Sequence, residues 1–202
     1  MAVYTHLTSA QISTYIAPFA VGELVTFKGI SGGIENTNYF VTTHIDGQPE
    51  QDFVLTLFED LGYEEIPYFV ELTEHLVAHK VTVPAPLRDT QGTALSWLAG
   101  KPALLFPRFA GDHLARSDIG TAECAIMGAE LARLHVAGQQ FTIARHSHRG
   151  ATWWNQLGPQ AADCIDPEDA TMLMMAIGQY DAMQAQVPDL PMGVVHGDLF
   201  HD

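Results

Sequence analysis

The segment Glu23–Phe58, ELVTFKGISGGIENTNYFVTTHIDGQPEQDFVLTLF, decides the fold that we expect for this chain. It contains three runs rich in Val, Thr, Phe and Tyr, which is the composition of β-strands. The runs are Glu23–Ile30, Asn38–His44 and Asp52–Phe58. Glycine-bearing turns separate them, and the second turn holds an Asp-Gly pair typical of a tight hairpin. The segment therefore predicts an antiparallel meander.

The residues on either side of the meander extend this lobe. Thr8 with Gln11 three positions later is a capping box, and it predicts a helix before the first strand. Apolar residues at a period of 3.6 predict a second helix over about Ile66–His79. Two further short strands, separated by a glycine-bearing turn, complete a five-stranded sheet: Ala94–Leu98 and Ala103–Phe109.

The remainder of the chain has mainly helical patterns. The predicted helices are roughly Gly120–Ala137, Thr152–Asp163 and Pro167–Ala185. A last apolar run, Met192–Val195, leads into His-Gly-Asp as a strand end. The order predicts an α+β fold of two lobes with a cleft between them. We expect an N-terminal lobe at 1–107, a hinge linker at 108–111 and a helical lobe at 112–202.

Composition excludes several classes of protein. Of the 202 residues, 47% are hydrophobic and 16% charged, which excludes intrinsic disorder for most of the chain. Nine Lys and Arg against 24 Asp and Glu give a net charge of −15, which argues against a nucleic-acid or anionic-membrane partner. Two cysteines, no basic signal-peptide start and no long apolar run predict a soluble cytoplasmic protein.

Four features follow one another in an order typical of kinase-like phosphotransferases. They are a glycine turn after the first strand, an acidic helix after the third, a linker after the fifth, and a distant His-Gly-Asp. Glycines let backbone N–H groups approach a phosphate, although Gly32 and Gly33 alone would indicate only a turn. A carboxylate at Asp198 can accept the proton of an alcohol, and His196 can brace the loop.

The segment 196–202, HGDLFHD, resembles the catalytic loop of the aminoglycoside phosphotransferase and choline kinase superfamily. Within that superfamily the chain is most similar to homoserine kinases of the kinase-like type, in segments 33–40, 53–59, 83–86 and 101–105. The resemblance implies a protein-kinase-like two-lobe fold, with the helical lobe incomplete, and ATP with Mg²⁺ as cofactors. It also implies a small-molecule alcohol, L-homoserine, as the substrate on the way to threonine.

The resemblance assigns roles to particular residues. Asp198 and His196 are the catalytic candidates, and no metal ligand is assigned. The nucleotide-binding candidates are Gly32, Gly33, Asn36, Asn38, Thr56, Glu71, Arg108 and Phe109. In this assignment the segment at 108–109 supplies backbone groups to adenine, and Glu71 matches the acid that pairs with the strand-three lysine of relatives.

The chain departs from the wider pattern in two places. The strand-three lysine is replaced by Thr56, and kinase-type homoserine kinases look similar there. Lys28, just before the glycine turn, is then the nearest cation in sequence that can reach a phosphate. The chain also stops at Asp202, before the metal-binding Asn and Asp that the resemblance implies. We therefore expect a C-terminally truncated kinase that transfers no phosphoryl group in this form.

Other interpretations stay open. The acceptor can be another small alcohol of the aminoglycoside or choline type. Alternatively, the chain is a metal-dependent hydrolase whose ligands are His196, Asp198, His201 and Asp202, or a non-catalytic nucleotide-binding fragment. Weaker candidates are the two histidines His75 and His79 as a zinc pair and the cluster 145–149 as an anion contact.

Overall fold

The computed structural model describes residues 3–145, 149–187 and 189–199. In the N-terminal half of the chain, an antiparallel sheet has helices on both faces. The helices are α1 Ser9–Ile16, α2 Ile66–Ala78, α3 Thr121–Gly138, α4 Ala151–Ala162 and α5 Pro167–Gln186, with 3₁₀ turns at Ala17–Phe19 and Arg116–Asp118. The strands are β1 Glu23–Gly29, β2 Asn36–His44, β3 Gln51–Phe58, β4 Ser96–Leu98 and β5 Lys101–Pro107.

The sheet has five strands in the order β1-β2-β3-β5-β4, all paired antiparallel. The predicted five-stranded antiparallel sheet is therefore confirmed, and its first three strands form the predicted meander. In the last hairpin β5 pairs with β3 and β4 lies at the edge. The strand β5 takes the inner position because its residues Ala103 to Leu105 are almost fully excluded from solvent and need a neighbouring strand on each side.

The helix α1 covers one face of the sheet. Its buried side chains Ile12 and Ile16 pack in one core cluster with Val41, Leu55 and Leu105 of the central strands. The predicted capping box is confirmed, since the Gln11 amide donates to Thr8 Oγ1 (3.3 Å) and the Thr8 amide donates to Gln11 Oε1 (2.9 Å). These two bonds satisfy backbone donors that the start of a helix leaves free.

The helix α2 covers only part of the opposite face. Ile66 and Val70 are buried and pack with Phe58 of β3 and Leu104 of β5. The strands β1 and β2 contribute no residue to that cluster, and the side chains that they place on this face are half-buried or exposed. The part of this face formed by β1 and β2 is therefore not covered by α2.

The chain divides into two compact units, residues 1–141 with 194–202 and residues 142–193. The first unit holds the sheet and α1 to α3. Its helix α3 packs Leu134 and Ala137 against Leu76 and Val81 at the end of α2. The predicted lobe boundary at the 108–111 linker stays a prediction.

The second unit consists of α4 and α5. Ile177 of α5 packs close to Gly158 of α4, where an added Cβ would collide with it. Trp154 and Tyr180 meet edge to face with ring centroids 4.9 Å apart, and Asn155 Nδ2 donates to Asp181 Oδ2 (3.0 Å). In the described part of the chain, no helix is long and apolar enough to cross a membrane.

One predicted element is not formed. The apolar run Met192–Val195 has no strand, since residues 189–199 contain no regular secondary structure. Met192 is 92% exposed, and only Val194 of the run joins a core cluster, against α2 and α3. A strand needs a neighbouring strand for its backbone hydrogen bonds, and the sheet that the structure describes has none here.

Candidate functional site

The glycine turn joins β1 to β2 and is open to solvent. The Ile30 amide donates to the Asn38 carbonyl (2.9 Å), so the strand pairing continues up to the start of the turn. Gly33 has a φ of +91°, which favours glycine, and a Cβ added at Gly32 or Gly33 would meet no atom within 4 Å. The turn thus presents unobstructed backbone, as approach to an anion requires.

A hydrogen bond from the N-terminal segment holds the tip of this turn. The Tyr4 hydroxyl donates to the Ile34 carbonyl (3.0 Å), and the amides of Tyr4 and Thr5 donate to Thr37 Oγ1 (3.0 and 3.1 Å). The turn is therefore tied to residues before α1, a connection that no local pattern in the sequence predicts.

The period of two along β2 divides its side chains between the two faces of the sheet. Thr37, Tyr39 and Val41 are buried, whereas Asn36, Asn38 and Phe40 alternate with them and are half-buried. Register then sets their neighbours, because Asn38 lies opposite Thr56 on β3, and Phe40 lies opposite Lys28 on β1. Three of the predicted nucleotide-binding residues, Asn36, Asn38 and Thr56, therefore share one face of the sheet with Lys28, Phe40 and Val54. We call this face the open face.

The Thr56 hydroxyl forms a hydrogen bond with the Asn38 side chain. It donates to Asn38 Oδ1 at 2.7 Å, and Thr56 is only 8% exposed. A threonine hydroxyl has one proton, so Thr56 has no proton left for a phosphate oxygen. The bond instead orients the Asn38 amide, whose two Nδ2 protons have no acceptor among the residues that the structure describes.

The linker residue Arg108 lies over the open face. Its guanidinium carbon is 4.1 Å from the centroid of the Phe40 ring, and Nη1 is 3.6 Å from Asp52 Oδ2. The Arg108 amide also donates to the Asp52 carbonyl (3.0 Å), and Thr42 Oγ1 donates to Asp52 Oδ1 (2.7 Å). Phe109, the next predicted residue, is 53% exposed.

The predicted acid on α2 pairs with an arginine. Glu71 is exposed, and its Oε1 lies 3.6 Å from Arg88 Nη2. Arg88 binds Glu74 more closely, through two bonds of 2.7 Å, and these hydrogen bonds raise the pKa of Arg88. Glu71 makes no hydrogen bond or ion pair with Thr56 or with another described side chain of the open face.

The His-Gly-Asp motif lies at the end of the first unit. Val194 packs against Gly138 of α3, where a Cβ would be in collision, and so anchors the segment before the motif. Gly197 has a φ of +78°, and the Asp198 amide donates to His196 Nδ1 (3.3 Å). Both side chains are exposed. This bond uses the Asp198 amide and leaves the Asp198 carboxylate accessible, and the bracing role of His196 stays a prediction.

A cavity of about 560 Å³ adjoins the motif. It includes Leu199, the residue after Asp198, and the first turns of α3. Its polar lining consists of Asp112, His113, Glu123 and Cys124. Glu123 accepts from the Gly120 amide (2.9 Å), and hydrogen bonds to its own amide and to that of Gly120 lower the pKa of Glu123. Ligand cavities typically have volumes of about 300–1,000 Å³.

The weaker candidates are not brought into a metal site. His75 and His79 stack at 4.1 Å between ring centroids, but His75 Nε2 bonds the Ala137 carbonyl (2.9 Å) and His79 Nδ1 the His75 carbonyl (2.8 Å). No group of three His, Cys, Asp or Glu suited to a metal occurs within 3–145, 149–187 and 189–199. His201 and Asp202 lie outside the described residues, as do residues 146–148 of the 145–149 cluster.

Sequence reasoning passed over two residues that shape the open face. Phe40 and Asp52 both contact the Arg108 guanidinium. A signal for Phe40 was present, because it stands two residues after Asn38 and must share its face. No pattern in the sequence indicates Asp52, because its contact with Arg108 depends on the pairing of β3 with β5.

Comparison with known proteins places these features in context. The profile of APH, the phosphotransferase enzyme family, matches residues 26–202, from the first strand through the His-Gly-Asp motif. Curated relatives include the homoserine kinases of Ralstonia pickettii (strain 12J) and Ralstonia nicotianae (strain ATCC BAA-1114 / GMI1000), each 37% identical over 100% of this chain. The chain spans 60% of the length of both relatives.

Two solved structures share the fold. The amicoumacin kinase hAmiN, in complex with AMP-PNP, Ca²⁺ and Ami, has a TM-score of 0.64 at 18% identity, over 87% of this chain and 53% of that one. The spectinomycin phosphotransferase APH(9)-Ia, with ADP and spectinomycin, has a TM-score of 0.66 at 10% identity, over 98% of this chain and 64% of that one. These similarities confirm the predicted kinase-like α+β fold.

Proposed function

This chain belongs to APH, the phosphotransferase enzyme family, and from that premise we propose that it is the nucleotide-binding and catalytic-loop part of an ATP-dependent homoserine kinase. The observation that carries the reaction class is the family match, which includes both the glycine turn and the His-Gly-Asp motif. The proposed acceptor, L-homoserine, is supported by curated homoserine kinases that match the whole chain at 36–37% identity.

The open face and the glycine turn fit a nucleotide. Bound ATP would supply the phosphoryl group to be transferred. The open backbone around Gly32 and Gly33 would face its phosphates, and the amides of Asn36 and Asn38 would donate from the sheet below. The backbone at Arg108 and Phe109 would border the base.

The described residues do not by themselves fit a divalent metal. Mg²⁺ would neutralise charge on the nucleotide phosphates, but the described residues contain no group of three His, Cys, Asp or Glu that could hold it. They do not build a magnesium site by themselves. We therefore expect the 202-residue chain to bind nucleotide without steady turnover, and we assign no step to a metal.

Asp198 is the proposed proton acceptor. Its carboxylate is exposed and carries no hydrogen bond within the described segments, so it can accept the proton of an alcohol. The positive φ of Gly197 and the bond to His196 Nδ1 set the backbone that holds it. The acceptor would enter through the cavity beside Leu199, where Asp112 and Glu123 favour an ammonium group.

The cellular setting follows from this chemistry. The pathway would be threonine biosynthesis, in which homoserine is phosphorylated. The free, exposed thiols of Cys124 and Cys164 suit a reducing compartment, which for this activity is the cytoplasm.

Release of ADP tests the proposal directly. The gene product, with any residues encoded beyond Asp202, is assayed with Mg²⁺-ATP and either L-homoserine, choline, an aminoglycoside or no acceptor. We expect homoserine-dependent release that falls by about 100-fold or more in Asp198→Asn, since general-base contributions are about 10²–10⁴. The matched control, Asp189→Asn, changes an exposed carboxylate of the same segment and retains activity.

The outcomes separate the alternatives. Release with choline or the aminoglycoside and not with homoserine rejects the substrate but retains the reaction class. No release with any acceptor, despite measurable ATP binding, favours a binding module. Steady turnover by the 202-residue chain alone would contradict the expectation that it is inactive.

A further inference from the structure

Thr56 leaves β3 without a positive charge that could meet a nucleotide polyphosphate on the open face. A triphosphate is strongly anionic, and the chain itself has a net charge of −15. The strand-three position is the neutral Thr56, and its hydroxyl proton is already donated to Asn38. Backbone and amide dipoles alone would have to hold the phosphates unless a cation reaches them.

Most of the cations near the sheet already have acidic partners. Lys101 Nζ lies 3.1 Å from Glu59 Oε2, and Arg108 is held by Asp52 and by the Phe40 ring. A cation bound in this way is partly neutralised and would have to leave its partner to meet a phosphate.

Lys28 is different. It is exposed, and its side chain makes no ion pair or hydrogen bond with any residue that the structure describes. Phe27, the residue before it, packs in the core cluster on the α1 side of the sheet, so Lys28 projects from the open face. It lies two residues before Ile30, where the strand pairing ends and the glycine turn begins.

The register brings the Lys28 ammonium within reach of the Asn38 amide. Lys28 lies opposite Phe40 on β2, and Asn38 is two positions earlier on that strand, towards the glycine turn. Neighbouring strands are about 4.8 Å apart, and such diagonal neighbours are about 7–8 Å apart, within reach of long side chains. The lysine side chain can therefore extend over Asn38, below the glycine turn.

We propose that Lys28 supplies the cation that contacts the nucleotide phosphates, in place of the charge missing at Thr56. Asn38, oriented by Thr56, donates beside it through Nδ2. This inference rests on the proposed function, because it names a residue of the same nucleotide site. It assigns to β1 a charge that relatives with a strand-three lysine place on β3.

Nucleotide binding to the folded 202-residue chain tests the assignment, measured by titration calorimetry with ATP, ADP, AMP and adenosine. Lys28→Met removes the charge and keeps the length of the side chain. We expect it to raise the dissociation constant for ATP about tenfold, equivalent to about 1.4 kcal/mol, and to leave adenosine unchanged. Lys28→Arg should retain most of the ATP affinity.

Lys80→Met is the matched control. Lys80 is another exposed lysine for which the described residues provide no ion pair, at the end of α2, and its replacement should leave all four dissociation constants unchanged. Two failures are distinguishable. If the wild-type chain binds no nucleotide, the proposed function fails and this inference with it. If wild type binds ATP but Lys28→Met changes ATP and adenosine equally, or neither, Lys28 is not the phosphate cation.

Discussion

Glu59 follows β3 and joins three separate segments of the first unit. Its Oε1 accepts from Thr37 Oγ1 (2.6 Å) on β2 and from Thr5 Oγ1 (2.8 Å) before α1, and its Oε2 lies 3.1 Å from Lys101 Nζ on β5. The carboxylate is 13% exposed. Glu59→Gln keeps its size but removes its charge, so it tests what this charge contributes to folding.

The expected cost follows from these contacts. A hydrogen bond to a charged group contributes about 1.5–3 kcal/mol, against about 1 kcal/mol for a neutral one. Glutamine can still accept from the two threonine hydroxyls but loses the attraction to Lys101. We expect a loss of about 2 kcal/mol in the free energy of unfolding at pH 7, which at an m-value of about 2 kcal/mol/M lowers the urea midpoint by about 1 M.

The effect of pH has a definite sign. Burial would raise the pKa of Glu59, but the hydrogen bonds from Thr37, Thr5 and Lys101 and the charge of Lys101 outweigh it, and the pKa is lowered. A depressed folded pKa stabilises the protein above the unfolded value of about 4.3, and this stabilisation is lost as pH falls through the folded pKa. The difference in stability between the two proteins should therefore shrink as pH falls below about 4.3 and vanish below the folded pKa of Glu59.

Urea unfolding followed by tryptophan fluorescence provides the assay. A Trp153→Phe, Trp154→Phe background leaves Trp97 as the reporter, and Trp97 stacks on Tyr63 in the first unit. Glu64→Gln, at an exposed position, is the control. The reasoning is refuted if the two glutamine variants have the same midpoint at pH 7, or if the cost of Glu59→Gln persists unchanged at pH 3.5.

Two further predictions concern the sheet. Leu55→Ala, at a fully buried position of the central strand, should cost about 3 kcal/mol in urea unfolding, and a cost below about 1 kcal/mol would contradict the core assignment. Gly22 and Gly47 both have positive φ, but only at Gly22 would a Cβ collide with the carbonyl of His44. Gly22→Ala should therefore lower the melting temperature more than Gly47→Ala, and equal melting temperatures would show that backbone strain alone governs both sites.

Much of the fold was accessible from local patterns. The strands of the meander follow from β-branched and aromatic runs, and α1 follows from the Thr8 and Gln11 capping box. Such signals depend on neighbours within a few residues. The strand expected at Met192–Val195 did not form because a strand also needs a partner, and hydrophobicity alone does not provide one.

The residues of the candidate site also fall into two groups, those that local motifs predict and those whose roles depend on tertiary contacts. Gly32, Gly33, His196 and Asp198 belong to short motifs that can be read in order along the chain, and their roles stay predictions. The use of the Thr56 proton by Asn38 depends on strand register, which joins residues 18 positions apart. The same is true of Arg108, whose position over Phe40 requires β2, β3 and β5 to be assembled.

By itself, the sequence determined the types and order of the elements, the acidic charge and the motifs, because each depends on composition or on spacing along the chain. Only the tertiary structure decided which side chains share the open face and which of its polar groups are already paired. Those properties arise from pairing between strands that are distant in the sequence. The Thr56 hydroxyl is used in a 2.7 Å hydrogen bond to Asn38, whereas the Lys28 side chain has no ion-pair partner among the described residues and is available to a ligand.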